Sequence, residues 1–223
     1  MKTPIVSSHR PVLLIGGAEI GPDRLTEALK YGETVVCADG GANAALDAGL
    51  EPAAIIGDMD SVSVASLSAY RDVLYPIDEQ DSTDFDKVLR SVEAPLYLGA
   101  GFLGDRFDHA VAALHVLLKY SDKPVILISD DDVVFLVPRA LTLRLPVGTR
   151  VSLLPVMPCE VTTRGLKWDI DGQSMSMADF IGSSNEAAED VISICAHEGL
   201  VVMLPPEALA AAVAALQDGA LAG

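Results

Sequence analysis

Cysteine is scarce: Cys37, Cys159 and Cys195 are an odd number, show no Cys-x-x-Cys spacing, and two of them lie inside apolar runs. They read as small buried hydrophobes of a reducing compartment, and cytoplasmic residence is expected. Histidine is scarcer still for its usual work, since none of the four stands at metal-ligand spacing with a cysteine, which leaves a structural zinc site without support. No apolar run approaches about 18 residues before Gly, Pro or charge interrupts it, so no membrane-spanning helix is expected. The first residues carry no apolar core of a secretory leader, and none is expected. Basic residues are few, 15 Lys and Arg against 32 Asp and Glu, for a formal charge of −17. Nonspecific nucleic-acid binding needs a basic surface and is excluded as a function class. Free ATP would be repelled by the same field, so a polyphosphate ligand has to arrive with metal and meet local Arg or Lys.

What is present is apolar content, 50% of the 223 residues, enough for one large core or two modest ones. From residue 11 to about 129, β-rich runs at Val12–Ile15, Val35–Ala38, Ala54–Ile56, Val73–Tyr75, Leu96–Leu98 and Val125–Ile128 alternate with helical segments. That alternation implies a parallel sheet of about six strands. Pro22-Asp23 marks one helix start, and Asp84–Val92 and Asp108–Leu118 read as further helices opening with acids. Beyond Asp130-Asp-Asp132 the period changes to short strands separated by Pro and Gly, the pattern of a β-sandwich or small barrel. The expected fold class is α/β: an N-terminal parallel-sheet α/β domain over residues 1–130, then an all-β sandwich over residues 131–223 ending in one Ala-rich helix from Pro206.

Four acidic motifs follow or closely trail the apolar runs of the first half: Asp39-Gly-Gly41, Gly57-Asp-Met-Asp-Ser61, Asp81-Ser-Thr-Asp84 and Arg106-Phe-Asp-His109. Open α/β sheets bind ligands beyond the carboxyl ends of their strands, and carboxylates gathered there repel one another unless a cation sits between them. Asp58 and Asp60, two apart on a turn where Gly57 lets the backbone approach closely, could face one hard ion such as Mg²⁺, with Ser61 ready to cap the next helix. Asp81 and Asp84 flank a helix start, and Lys87 follows where it could reach a phosphate. Asp39-Gly40-Gly41-Ala-Asn43 leads from a strand into a helix, an arrangement suited to a phosphate or nucleotide; Asp39 itself could serve ribose, substrate or metal. Arg106 offers a planar donor fork for phosphate, Asp108 a carboxylate at a helix start, and His109 a hydrogen-bond partner or a cap. Taken one at a time, each motif reads at least as well as an acidic helix start. In the second half Gly165-Leu-Lys-Trp168 and Ser183-Ser-Asn185 stand out; Trp168, the only Trp, is either core or a face for a flat heteroaromatic or cationic ring.

Together and in this order the six motifs resemble the pattern of the thiamin pyrophosphokinase (thiamine diphosphokinase) family: Asp-Gly-Gly, Gly-Asp-x-Asp-Ser, Asp-x-Thr-Asp, Arg-x-Asp-His, Gly-Leu-x-Trp and Ser-x-Ser-Asn. The helix after Asp84 carries Asp86 where members of that family often have Glu. The resemblance implies a homodimer and Mg²⁺-dependent transfer of pyrophosphate from ATP to the hydroxyl of thiamin, giving thiamin diphosphate and AMP. On it, Asp58, Asp60, Asp81 and Asp84 hold Mg²⁺, and Asp39, Gly40, Gly41, Asn43, Lys87 and His109 belong to the nucleotide side. Arg106 contacts phosphate and Asp108 orients the hydroxyl, while Trp168, Ser184 and Asn185 line the thiamin site. Two alternatives stay open: another Mg²⁺-dependent pyrophosphokinase, with a pterin alcohol as acceptor for instance, and a non-catalytic sensor of nucleotide or thiamin diphosphate.

Overall fold

The structure, a computed structural model, describes residues 3–104 and 106–220. It divides into two compact units, one up to Asp130 and one from Asp131. The first contains, in chain order, β1 (Val6–Ser7), β2 (Val12–Ile15), α1 (Pro22–Leu29), β3 (Thr34–Ala38), α2 (Gly41–Asp47), β4 (Ala54–Gly57), α3 (Val64–Ala69), β5 (Leu74–Pro76), α4 (Asp84–Ser91), β6 (Val92–Glu93), β7 (Tyr97–Ala100), α5 (Phe107–Lys119) and β8 (Val125–Ile128). Short β1 pairs with β6; the remaining strands pair parallel in the order β8-β7-β2-β3-β4-β5.

All four residues of β2 and of β8 are buried, as are those of β7. A parallel strand covered on both faces has to be apolar throughout, and each buried Leu or Ile contributes about 1.5–3 kcal/mol. The chain leaves β2 toward β3, β4 and β5 on one side, then returns to add β7 and β8 on the other. Strand order therefore reverses between β2 and β7, and the loops leaving their carboxyl ends part there to open a crevice.

Helix starts follow the side chains that can cap them. Thr83 accepts from the backbone N–H of Asp86 at 3.2 Å and begins α4, with Asp84 and Asp86 in its first turn. At α3 the cap is Ser63, whose hydroxyl accepts from the N–H of Ser66 at 3.1 Å. Ser61, the residue expected to cap it, lies two residues too early and serves the acidic site instead.

The second unit holds β9 (Val133–Leu136), β10 (Ala140–Arg144), β11 (Arg150–Pro155), β12 (Cys159–Arg164), β13 (Gln173–Met175), β14 (Gly182–Glu186), β15 (Val191–Ala196), β16 (Leu200–Leu204) and α6 (Leu209–Ala220). Its strands are antiparallel in two sets, β10-β15-β12-β13 and β9-β16-β11-β14. Alternate residues of β10, β11, β12 and β15 are buried, so each strand turns one face to the core. β13 and β14 are polar strands, Gln-Ser-Met and Gly-Ser-Ser-Asn-Glu, and carry no alternating apolar signal. The tail forms a short turn at Pro206–Ala208 followed by α6, which packs against β10.

Candidate active site

At the reversal of strand order lies a cleft of about 600 Å³. The loop after β2 supplies Gly16 to Glu19, the loop after β7 supplies Gly101, Phe102 and Gly104, and the loop after β3 supplies Asp39 and Gly40. Thr83, Asp84 and Phe85 enter from the start of α4, and Arg106 and His109 from the start of α5. The two central loops touch through their backbones, the N–H of Ala18 donating to the carbonyl of Gly101 at 3.0 Å. Gly101 has φ of +77°, and a Cβ there would lie 2.7 Å from the carbonyl oxygen of Gly16. Only glycine permits both the conformation and the approach.

Asp39 stands at the floor of this cleft, 2% exposed. Its Oδ2 accepts from the N–H of Ser61 at 3.1 Å, while its Oδ1 is buried with no hydrogen-bond partner among the described residues. Burial, with the carboxylates of Asp84 and Asp58 nearby, pushes the Asp39 carboxyl above its ordinary range against the pull of Ser61. One carboxylate oxygen each of Asp39, Asp58 and Asp60 lies within 4.8 Å of the others. Partial burial works against the charge of Asp58, yet the N–H of Asp60 at 3.3 Å, Lys87 Nζ at 3.2 Å and Gln80 Nε2 at 3.1 Å outweigh it and hold its carboxyl below the ordinary value.

Lys87 is the cation of this cluster. It is 2% exposed, and its ammonium bridges Asp58 to Asp84, the latter at 3.0 Å. Desolvation opposes the charge, but the two carboxylates prevail and raise its pKa. Lys87, expected at a phosphate, is placed here between two acids and donates to both. Asp81 is exposed and stands outside the trio that could share an ion, and Asp84 is tied to Lys87. Three carboxylate donors, one of them from the buried Asp39 with an unpartnered oxygen, suit Mg²⁺, which prefers carboxylates and phosphate oxygens.

At the start of α5, Arg106 grips Asp108 with two nitrogens, Nε to Oδ1 at 3.2 Å and Nη2 to Oδ2 at 2.6 Å. Both side chains are exposed, and the guanidinium holds the Asp108 carboxyl below its usual range. Asn43 lines the cleft while its amide braces the neighbouring turn, donating to the carbonyl of Ser61 at 2.9 Å and accepting from the N–H of Ser63 at 2.9 Å. Gly41 serves packing: a Cβ there would fall 2.0 Å from the carbonyl oxygen of Ile15.

In the second unit the turn Gly165–Trp168 leaves the indole of Trp168 58% exposed, so this Trp is not core. Asn185, 6% exposed, sits against it, and Ser184 is exposed beside it with φ of +58°. The turn is pinned by Asp169, whose carboxylate accepts from Thr163 Oγ1 at 3.0 Å, Leu166 N at 3.0 Å and Gly165 N at 3.2 Å. Asp169 and Gln80 are contributors that spacing alone does not single out: Asp169 holds the turn that precedes it, and Gln80 reaches Asp58, 22 residues away in sequence.

Residues 25–128 match the family model described as thiamin pyrophosphokinase, catalytic domain, and residues 140–201 match that described as thiamin pyrophosphokinase, vitamin B1 binding domain. Thiamine pyrophosphokinase 1 of Oryza sativa subsp. japonica is 31% identical over 201 residues, 74% of this chain and 76% of that protein. Thiamine pyrophosphokinase 2 of Arabidopsis thaliana is 30% identical over 194 residues, 71% of this chain and 73% of the relative. Among solved structures, the thiamin pyrophosphokinase of Geobacillus thermodenitrificans superposes with a TM-score of 0.72 at 26% identity, covering 87% of this chain and 96% of that one. The thiamin pyrophosphokinase of Candida albicans gives 0.75 at 19% identity over 92% and 95% of the two chains, a likeness of fold.

Proposed function

The chain belongs to the thiamin pyrophosphokinase family, and we propose that its transfer of pyrophosphate to thiamin takes place at the acidic end of the parallel sheet, with ATP entering as its magnesium complex. One observation carries this reading: Asp39, whose carboxylate is buried with Oδ1 unpartnered among the described residues, offers an oxygen within an ion's reach of Asp58 and Asp60, beside a cleft at the strand-order reversal. Asp39, Asp58 and Asp60 would hold Mg²⁺. An ion held there would supply positive charge against the polyphosphate and its reacting oxygens.

The chain's own residues do the rest. Lys87 helps to keep Asp58 ionised and fixes the carboxylates of Asp58 and Asp84 in direction. Arg106 stands at the cleft with a planar fork that can move from Asp108 to a phosphate. Asp108, held ionised by Arg106, accepts a hydrogen bond from the thiamin hydroxyl and aims it. Trp168 presents its face to the acceptor's flat cationic ring. Two further parts of the reading are cytoplasmic residence, supported by the free thiols of Cys37, Cys159 and Cys195, and a homodimer, supported by Phe107 (81% exposed) and Val111 (48%) one turn apart on α5. No helix among the described residues is long and apolar enough to cross a membrane.

Incubation with MgATP and thiamin should release AMP and thiamin diphosphate, separable by chromatography, and EDTA should stop it. Asp60→Asn should lower turnover by about two orders of magnitude or more while the circular dichroism stays unchanged. Equal product with and without EDTA would remove the metal from the reading.

A further inference from the structure

An exposed indole can be a specific platform only if something fixes it. The backbone of Trp168 is held at both polar groups by one side chain far along the sequence: its N–H donates to Asn185 Oδ1 at 3.2 Å, and its carbonyl accepts from Asn185 Nδ2 at 2.8 Å. Asn185 Oδ1 also accepts from the N–H of Glu186 at 2.9 Å. Two donors on the oxygen and an acceptor against the nitrogen leave only one orientation of that amide. The indole is fixed from a second direction as well. Lys167 Nζ lies 4.9 Å from the ring centroid and is tethered to Glu186 at 2.8 Å, so one face is already covered by a cation.

We propose that Asn185 is the positioning residue of Trp168, acting through the indole and not on thiamin itself, and that the Lys167–Glu186 pair decides which face of the ring is open to the acceptor. The inference rests on the reading that Trp168 meets thiamin. A cationic acceptor ring is repelled from the face that Lys167 occupies and attracted to the other. The order of the motif then has a reason: Lys167 and Trp168 adjacent on one turn, Asn185 and Glu186 adjacent on β14.

The single Trp makes fluorescence a direct report on the clamp, because emission belongs to Trp168 alone. In the full-length enzyme, Trp168→Ala and Asn185→Ala should each raise the thiamin KM about tenfold and leave the ATP KM within about twofold. Asn185→Ala should also increase acrylamide quenching. In the Trp168→Ala background, Asn185→Ala should add less than about twofold, since its effect passes through the missing ring. Additive effects would show Asn185 touching thiamin directly and overturn the proposal, as would unchanged quenching. Asn185→Asp keeps the two accepted bonds and loses the donated one, so it carries the same test should the Ala variant fold poorly. Lys167→Gln should raise quenching by uncovering the second face; no change removes that pair from the assignment. If Trp168→Ala leaves the thiamin KM unaltered while Asn185→Ala still shifts quenching, the clamp stands and the acceptor reading of Trp168 falls.

Discussion

Asp39→Asn isolates the energetic tension at the site. The wild-type carboxylate is 2% exposed, one oxygen takes a single N–H from Ser61, and the other takes nothing. A buried polar group left without its partner costs about 1–3 kcal/mol, and the facing carboxylates of Asp58 and Asp84 add repulsion. Asn has nearly the same volume, still accepts from Ser61, and turns a donor toward the neighbouring acids. Without metal the variant should therefore be more stable by about 1–2 kcal/mol, a rise in Tm of about 2–8 °C for a chain of this length. Magnesium should reverse the ranking of responses: an ion that binds only the folded wild type raises its Tm with concentration, and the variant, lacking one charge of the trio, should respond far less. The folded pKa of Asp39 is raised above its ordinary 3.8. Its ionisation penalty is thus absent below the ordinary value, grows as pH climbs through the raised one, and is complete above it. The gap between variant and wild type should be widest near pH 8 in EDTA and close toward pH 4. Thermal melts followed by circular dichroism, in EDTA and across a MgCl₂ series, measure all of this. A variant that melts below the wild type in EDTA at pH 8, or gains as much from magnesium, refutes the reasoning.

Lys87→Met should lower stability at pH 7 by about 2–3 kcal/mol, below the full cost of breaking a buried pair because Asp84 keeps 36% of its side chain in water. Asp58, whose folded pKa is lowered, loses its share of this pairing energy as pH falls through that value, so the defect should shrink in acid; urea midpoints at two pH values test it, and a loss under about 0.5 kcal/mol would mean that solvent already screens the cluster. If the proposed homodimer forms through α5, Phe107→Glu should lower the mass seen by light scattering from dimer to monomer with the circular dichroism preserved, and an unchanged mass would remove α5 from that proposal.

The parallel sheet was legible because its strands are buried on both faces and so read as uninterrupted apolar runs: Val12–Ile15 and Val125–Ile128 coincide with β2 and β8. Antiparallel β13 and β14 were not, since a short polar strand such as Gly-Ser-Ser-Asn-Glu is held by its partner and not by its own pattern. The acids were legible as a group, but their partners were not. Spacing suggested that Lys87 would reach a phosphate; its buried ammonium lies between Asp84 on its own helix and Asp58 just past β4, a partner 29 residues away that spacing does not show. Ser61 likewise looked like a cap, yet Ser63 caps α3, while the Ser61 hydroxyl donates to Asp60 and its N–H to Asp39.

Backbone strain explains why the convergence of Asp39 with Asp58 was hard to foresee. Among the described residues, the non-glycines with left-handed φ are Asp39 (+42°), Met59 (+68°) and Ser184 (+58°), and each lies inside one of the motifs. Such conformations cost about 1–3 kcal/mol and persist only where surrounding contacts over-determine them. For Asp39 those contacts are identifiable: its N–H donates to the carbonyl of Ile56 at 3.0 Å, its carbonyl accepts from Ala42 at 3.0 Å, and its side chain takes the N–H of Ser61. Gly57 completes the set by leaving room, because a Cβ at that position would lie 2.7 Å from the Cβ of Asp39. The glycine that opens one motif is therefore required by the aspartate that opens another, on the adjacent strand. Two short sequence signals that look independent are halves of one steric fit, which is what sets the carboxylates of Asp39, Asp58 and Asp60 within one ion's reach despite their mutual repulsion.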